Sequence, residues 1–405
     1  MRLLQQAMSP QAIRRSPGYF ALALLLAAPL APATEAGAGS ATTFDAMAQM
    51  SSGSEDGDYR FRLKQYLEAR AAFEQEASAY WNAISEKRRG RNAKRRDHQP
   101  IALDDYVLTQ PPVYTGPKRP AGPAPSEPDH APREHKHIPV VADLLQAAAD
   151  HFQFTPQRPG SEVEFKRAYA RVAAAAGLTR EQAVRVYSFE TGGTGNYDVQ
   201  SGIEHGGTRA ISTAMGYNQL LTTNTVELLA EQGPEFIRAL MQKAASLSGA
   251  PRQAMDRKIA VLRQMVALAR SVPDEWAQHE KIGDTPQGWA MHAMVLDIDV
   301  GPLLQTHKLL TSVIFARAKG YTRALTAAEL EMMNLTGDGT GLDMVTMPLA
   351  MREQVPTSNF FQRGGYERNP VAIRHNTVAK LLGVTDARMD SNSNLAGAKV
   401  LAAAF

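Results

Sequence analysis

The amino-acid sequence predicts a mainly α-helical protein. Two stretches, AMDRKIAVLRQMVALA and PLLQTHKLLTSVIFARA, carry apolar residues at intervals of three and four, the spacing that places them on one face of a helix. Residues that begin and end helices are frequent, whereas alternating runs of β-branched residues are scarce. We therefore expect helices to form the core and any sheet to be small.

Several helix boundaries can be placed from the residues alone. Gly177 is positioned to end one helix, and Thr179 with Gln182 forms a capping box for the next. Further boundaries are predicted at Thr285-Pro286, at Thr326 with Glu329, and at Gly233-Pro234, where a helix would stop and restart.

The chain of 405 residues divides into segments of different composition. Arg14 and Arg15 precede a short apolar run, 20–33, and A-x-A patterns follow it, a combination typical of a secretory signal peptide. A single anchoring helix is the alternative. The predicted segments are a signal peptide 1–38, a disordered stretch 39–57, an amphipathic helix with a basic end 58–97, a Pro-rich linker 98–139 and a helical domain 140–405. We therefore expect the mature protein in the periplasm.

Composition excludes some chemistry and suggests some partners. The chain has no cysteine, which excludes disulfides, thiolate zinc sites and a cysteine nucleophile. Seven basic residues without an acid end the helix 58–97, and they are Lys87, Arg88, Arg89, Arg91, Lys94, Arg95 and Arg96. In an exported protein we expect this run to meet an anionic envelope polymer or the membrane surface rather than nucleic acid, or to be a solvated helix end. The apolar stripe of the same helix must be buried against the main domain or an envelope protein partner.

The stretch VYSFETGGTGNYD places a carboxylate where a helix meets a glycine-rich loop. Glu190 continues the apolar series of Ala183, Val186 and Tyr187, so its side chain should point toward the core. Burial and the negative end of the helix dipole both raise the pKa of such a carboxyl group. A carboxylic acid that stays protonated near neutral pH suits general acid catalysis, and the glycines that follow suggest a mobile backbone. A glutamate that merely ends a helix is the structural alternative.

A second motif, Gly216-Tyr217-Asn218-Gln219-Leu220, follows and precedes a Thr-rich helix start. Together with Glu190-Thr191-Gly192, this motif resembles a pair of motifs in the lytic transglycosylase and goose-type lysozyme superfamily. There an E-S-x motif is followed downstream by G-x-x-Q-[LIM]. The resemblance implies a lysozyme-like helical domain in which Glu190 is the general acid and base. It also implies that Thr191, Gly216, Tyr217 and Gln219 belong to the glycan-binding region.

The third motif of that family is a Y-N-x-G loop whose asparagine contacts sugar. EMMNLTGDGTG offers Asn334 for this role, with Met333 in the place of the tyrosine and the glycine one position late. By resemblance, the substrate would be peptidoglycan glycan strands and no cofactor or metal would be needed. His292, Asp297, Asp299 and His307 have spacings that a metal site could use, but two helices meeting at Gly301-Pro302 explain them as well.

The same resemblance implies cleavage of the β-1,4 bond between N-acetylmuramic acid and N-acetylglucosamine with formation of a 1,6-anhydro product. Only one acid would act, since no acid lies at an obvious fixed spacing from Glu190. Asp198 and Glu204 are the candidates for a second carboxylate if the enzyme is instead a hydrolytic lysozyme. A catalytically silent cell-wall-binding or scaffold protein is a further alternative, favoured by the altered third motif and the long helix.

Overall fold

Helices form nearly all of the regular structure of the protein. The computed structural model describes residues 45–122, 137–203 and 210–405. Within these ranges strand pairing is limited to two isolated bridges, Gln200–Met215 and Met215–Leu220. The prediction of a mainly α protein is therefore confirmed. The predicted signal peptide 1–38 lies outside the described residues.

The α-helices are numbered in chain order. They are α1 (Asp45–Arg96), α2 (Val141–Phe152), α3 (Glu162–Ala176), α4 (Arg180–Glu190), α5 (Thr222–Ala245), α6 (Gly249–Ala269), α7 (Trp276–Gly283), α8 (Pro286–His292), α9 (Gly301–Ala318), α10 (Ala327–Thr336), α11 (Asp338–Thr346), α12 (Leu349–Arg352), α13 (Arg363–Glu367), α14 (Pro370–Arg374), α15 (Val378–Ser393) and α16 (Ala396–Ala404). Short 3-10 helices occupy Leu103–Asp105, Ala293–Leu296 and Thr357–Phe360.

The chain forms two units. Among the described residues, the first unit contains His137–Glu353 and Glu367–Phe405. The second contains α1, the segment that follows it to residue 122, and Gln354–Tyr366. The helical domain was predicted as one stretch, 140–405, but its internal segment Gln354–Tyr366 belongs to the unit that contains α1.

Most of the predicted helix boundaries are found in the structure. Gly177 ends α3 with a φ of 91°, a left-handed conformation that glycine adopts without a steric penalty. Thr179 with Gln182 and Thr326 with Glu329 form reciprocal capping boxes at the starts of α4 and α10. Local side-chain hydrogen bonds to the free N–H groups of the first turn therefore determine where these helices begin.

The predicted interruption at Gly233-Pro234 is wrong. Helix α5 runs without a break through both residues. A Cβ atom at Gly233 would overlap the side chain of Val266 on α6, so this glycine is the point where the two helices approach closely. The long contact between α5 and α6 offsets the energetic cost of the backbone hydrogen bond that Pro234 cannot make. The helix therefore continues although the local sequence favours an end.

Helix α9 is largely buried within the first unit. It packs against α3, α5, α10 and α11, and Leu304 and Leu309 within it have no exposed surface. Helix α4, which carries Glu190, packs against α3, α10, α15 and α16. The end of α4 is therefore held by elements from both the middle and the C-terminal part of the chain.

Packing and ion pairing explain the residues that were considered as metal ligands. The buried carboxylate of Asp297 accepts hydrogen bonds from the backbone of Gln157, Asp299 and Val300, and Lys258 donates to it at 2.8 Å. The two ring nitrogens of His292 contact the Thr225 hydroxyl at 2.7 Å and the Thr213 carbonyl at 2.9 Å. His307 lies against the ring of Phe236. Within the described ranges, no group of three or more His, Asp or Glu side chains is arranged to hold a metal ion.

In the second unit, α1 begins at Asp45, inside the stretch 39–57 that was expected to be disordered. Once a helix has nucleated, adding residues to its end is inexpensive, so α1 extends through residues with no helix signal of their own. The Pro-rich segment after α1 packs against the same helix: Tyr114 contacts Tyr66 and Phe73, with ring centroids 6.3 and 5.4 Å apart. Part of the predicted linker 98–139 is thus a docked segment.

The basic end of α1 contacts the rest of its own unit. Arg91 has no exposed surface, lies 4.3 Å from the ring centroid of Tyr106, and donates to the carbonyl oxygens of Asp105 and Asn359. Lys94 forms an ion pair of 2.6 Å with Asp105. Part of the basic run therefore holds loops of this unit through backbone carbonyls and one carboxylate.

A membrane-spanning helix is not found in the part of the chain that the structure describes, because none of its long helices has a sufficiently apolar stretch.

Candidate active site

Glu190 is the last residue of α4. The preceding members of its helical face, Ala183, Val186 and Tyr187, have no exposed surface. The side chain of Glu190 itself is partly exposed, while its Oε2 atom is buried. The predicted face is therefore the one that enters the core, and its final position reaches the boundary between core and solvent.

The loop after Glu190 is packed at its second glycine. A Cβ atom at Gly193 would overlap the carbonyl oxygen of Asn392, and the Gly193 carbonyl accepts a hydrogen bond from the Ala398 backbone at 3.1 Å. Gly192, by contrast, has no atom within 4 Å of its Cβ position. The structure therefore differs from the expected mobile backbone at Gly193, because the end of α15 and the first turn of α16 pack against it.

Two residues of α10 contact the Glu190 carboxyl group. The Asn334 side-chain amide donates to Glu190 Oε1 at 3.0 Å. Glu331 lies one helical turn earlier on α10, is 1% exposed, and is within hydrogen-bonding reach of the Glu190 carboxyl group. Asn334 is thus adjacent to Glu190, and it sits on a helix rather than in the loop that the resemblance implied.

Burial makes both carboxyl groups weak acids. It raises the pKa of Glu190 to about 7, although the hydrogen bond from Glu331, the positive charges of Lys308 and Arg388, and the Asn334 amide all act in the opposite direction. Burial also raises the pKa of Glu331 well above its ordinary value, and the negative charge of Glu190 adds to this effect. Near neutral pH the pair therefore retains at least one proton.

Lys308 connects this pair with two further acids. It lies on α9, burial lowers its pKa, and the negative charges of Glu227, Asp338, Glu190 and Glu331 oppose that effect. Arg388 of α15 lies over the ring of Phe189, the residue before Glu190. The candidate site thus combines carboxyl groups from two helices with two cations from two others.

The motif 216–220 forms a tight turn that closes on itself. Met215 and Leu220 exchange two backbone hydrogen bonds of 2.9 and 3.0 Å across it. Gly216 and Gln219 both have positive φ values, 79° and 43°. Gln305 of α9 fills the space next to Gly216, since a Cβ atom there would overlap its side-chain amide. This glycine is required by the close approach and by its backbone conformation.

Gln219 and Tyr217 make contacts inside the protein. The amide group of Gln219 donates to the carbonyl oxygens of Gly216 at 2.8 Å and Val199 at 3.3 Å. Tyr217 has no exposed surface, and its hydroxyl donates to Glu162 at 2.5 Å. In this structure Gly216, Tyr217 and Gln219 thus build the turn, and only Asn334 of the other predicted site residues contacts the carboxyl group of Glu190.

Thr191 and Asp198 have local partners. The Thr191 hydroxyl donates to the Tyr187 carbonyl oxygen at 2.7 Å, which caps the end of α4. Asp198 forms an ion pair of 2.5 Å with Arg158. Glu204, the other acid considered as a second carboxylate, lies outside the described residues.

Glu331 is the residue of the candidate site that the sequence did not predict. The signal was present, since Glu331 is a lone acid within the apolar run Leu330–Met333 and precedes Asn334 by three residues. Residues three apart on a helix share a face, so both side chains reach the same neighbour when the helix is buried. Which neighbour they reach depends on the packing of α10 against α4.

The arrangement can hold a proton on a carboxyl group at the edge of the core and stabilise the carboxylate that forms when this proton leaves. Comparison with protein-family models, with curated proteins and with solved structures finds no match to this chain.

Proposed function

We propose that this protein is an exported peptidoglycan lytic transglycosylase with a lysozyme-like helical domain. The observation that carries the proposal is the environment of Glu190, a helix-terminal carboxyl group whose burial raises its pKa to about 7 beside the Asn334 amide. A general acid works best when its pKa lies near the working pH, and this carboxyl group meets that condition. The tight turn 216–219 and its resemblance to the second family motif give independent support.

In the proposed reaction Glu190 donates its proton to the glycosidic oxygen between N-acetylmuramic acid and N-acetylglucosamine. The bond from that oxygen to the anomeric carbon breaks. The Glu190 carboxylate then takes the proton of the 6-hydroxyl group of the same N-acetylmuramic acid. The oxygen of this hydroxyl group forms a bond to the anomeric carbon. Glu190 is protonated again, no water is consumed, and the products are a free hydroxyl end and a 1,6-anhydro sugar.

The position of Glu331 favours a mechanism with one acid. Glycosidases that use two carboxyl groups keep them about 5 to 9.5 Å apart, with the scissile bond between them. Glu331 and Glu190 act on each other as hydrogen-bond partners, so their carboxyl groups lie closer together than that range. A sugar ring does not fit between groups that are so close, so Glu331 is unsuited to act as a nucleophile or as a base on the opposite face.

Mass spectrometry of soluble products from purified sacculi tests the proposal. The wild-type chain should release anhydro-muropeptides, and Glu190→Gln should reduce the yield by at least about a thousandfold, the usual scale for loss of an essential acid. Asp198→Asn is the matched control, because Asp198 pairs with Arg158, and it should leave the yield unchanged.

Two outcomes would contradict the proposal. Products that are heavier by one water would identify a hydrolytic lysozyme, and in that case Asp198→Asn or Glu204→Gln should also be inactive. Binding of sacculi without any soluble product, by both the wild type and Glu190→Gln, would identify a cell-wall-binding protein.

A further inference from the structure

Glu331 is a buried acid in an apolar helix. Its neighbours in sequence Leu330, Met332 and Met333 have no exposed surface, and Glu331 itself is 1% exposed. An ionised carboxylate at such a depth is strongly disfavoured unless cations and hydrogen-bond donors surround it. The charge state of Glu331 therefore depends on what faces it.

The groups that face Glu331 do not favour a second negative charge there. Its carboxyl group interacts with that of Glu190, and the Asn334 amide on the same helical face donates to Glu190 Oε1 at 3.0 Å. The Oε2 atoms of both glutamates are buried, and no N–H or O–H group of the described residues donates to either. Two carboxylates in contact repel each other, whereas one proton between them gives each a hydrogen-bond partner.

The surrounding charges decide which glutamate keeps the proton. Lys308 of α9 and Arg388 of α15 act on Glu190, and the Asn334 amide donates to it at 3.0 Å. Lys308 also acts on Glu331 and so does not distinguish the two, whereas Arg388 and the Asn334 hydrogen bond favour the charge on Glu190. Glu190 has more stabilising partners and partial exposure, so it is the member that ionises first.

We propose that Glu331 is a positioning residue that remains a neutral carboxylic acid and donates its O–H to the Glu190 carboxylate. The inference rests on the proposed function, because it assigns Glu331 to the moment after Glu190 has given its proton to the leaving oxygen. The Glu331 proton is not transferred: it stays on Glu331 while Glu190 loses a proton and regains one from the 6-hydroxyl group. A neutral buried acid used as a hydrogen-bond donor is physically established in enzyme sites.

Two substitutions of Glu331 separate a neutral donor from a charged group. Glu331→Gln keeps size, neutrality and an N–H donor. It should retain at least about a third of the cleavage rate and shift the alkaline limb of the pH profile by less than about half a unit. Glu331→Leu removes the donor, so the Glu190 carboxylate loses a charge-assisted hydrogen bond. The midpoint of the alkaline limb of the pH–rate profile should therefore move up by about one pH unit.

The sign of the shift makes the inference falsifiable. If Glu331 were ionised, its removal would take a negative charge away from Glu190 and would lower the alkaline limb. An unchanged limb in Glu331→Leu would indicate a role in packing alone. Inactivity of Glu331→Gln comparable to that of Glu190→Gln would indicate a required carboxylate. Each of these three results overturns the inference.

A direct titration separates this inference from the proposed function. Carbon-13 NMR of the full chain with labelled glutamate carboxyl groups follows Glu190, whose signal is identified by its absence in Glu190→Gln. The Glu190 pKa should rise by about one unit in Glu331→Leu and stay within about half a unit in Glu331→Gln. If these shifts appear while sacculi release no product, the proposed function fails and the donor role of Glu331 stands. If products form but the Glu190 pKa does not respond, the donor role fails.

Discussion

Tyr187 and Tyr217 lie edge to face with their ring centroids 4.9 Å apart, and through this contact α4 supports the turn 216–219. Tyr187 also donates from its hydroxyl to the carbonyl oxygen of Gly195 at 2.8 Å. One buried aromatic ring therefore links three parts of the candidate site: the helix that ends in Glu190, the loop after it, and the turn that carries Gln219.

The first prediction concerns this aromatic contact. Tyr217→Leu should lower the free energy of unfolding by about 3 kcal/mol, because it removes a fully buried ring and its hydroxyl. Tyr217→Phe keeps the ring and should cost about 1–2 kcal/mol, the loss of the hydrogen bond to Glu162. Denaturant unfolding measures both values. Equal losses would show that the ring contact contributes nothing beyond the hydroxyl.

The second prediction separates packing from backbone conformation in the loop after Glu190. Gly192 and Gly193 both have positive φ values, 65° and 75°, so alanine is strained at either position. Only at Gly193 does a Cβ atom also overlap the Asn392 carbonyl. Gly192→Ala should cost about 1 kcal/mol and Gly193→Ala at least about 2 kcal/mol more, since the end of α15 must move. Similar costs for the two variants in denaturant unfolding would argue against this packing.

The third prediction follows from the raised pKa of Glu190. In the unfolded chain this carboxyl group ionises near 4.5, whereas in the folded protein it ionises at about 7. Between these values the unfolded state binds fewer protons, so stability falls as the pH rises through this window. Removing the carboxyl group should remove the penalty.

Glu190→Gln should therefore equal the wild type in stability at pH 4 and exceed it by up to about 3 kcal/mol at pH 8. Denaturant unfolding at a series of pH values measures the difference between the two curves. Asp198→Asn serves as the control and should show no such increase. A Glu190→Gln curve parallel to that of the wild type would show that the Glu190 pKa is not raised.

The fourth prediction concerns the second unit alone. Arg91→Met removes the guanidinium group from the ring of Tyr106 and leaves the carbonyl oxygens of Asp105 and Asn359 without this donor. Amide hydrogen exchange in α1 should become faster, because the free energy of opening this helix should fall by about 2–4 kcal/mol. Arg96→Met, at an exposed position of the same basic run, is the control and should change exchange little. Equal effects of the two would mean that burial of Arg91 contributes no stability.

The comparison of Gly177 with Gly233 shows when a local signal is sufficient. Both glycines predicted a helix end, and only Gly177 marks one. At Gly177 the left-handed backbone completes the hydrogen bonds of the last turn, so local energetics decide. At Gly233 the contact with Val266 on α6 requires a residue without a side chain, and interhelical packing decides.

The same distinction applies to the candidate site. The capping box at Thr179 and the series Ala183, Val186 and Glu190 involve residues within one helix, so sequence reasoning placed Glu190 at a helix end that faces the core. Whether a second acid lies beside it could not be inferred, since Glu331 belongs to α10. The one clue, an acid three residues before Asn334 in an apolar run, indicates that the two share a face but not what that face meets.

The sequence by itself determined the helical class, the start of α4 and the direction of the Glu190 side chain, because helix periodicity and capping act over three or four residues. Only the tertiary structure decided that Glu190 shares a buried environment with Glu331, that Asn334 donates to it across 144 residues of chain, and that Gly193 is packed. The physical reason is that the charge state of a carboxyl group depends on burial and on neighbouring charges, and the packing of α4 against α10 and α15 supplies both.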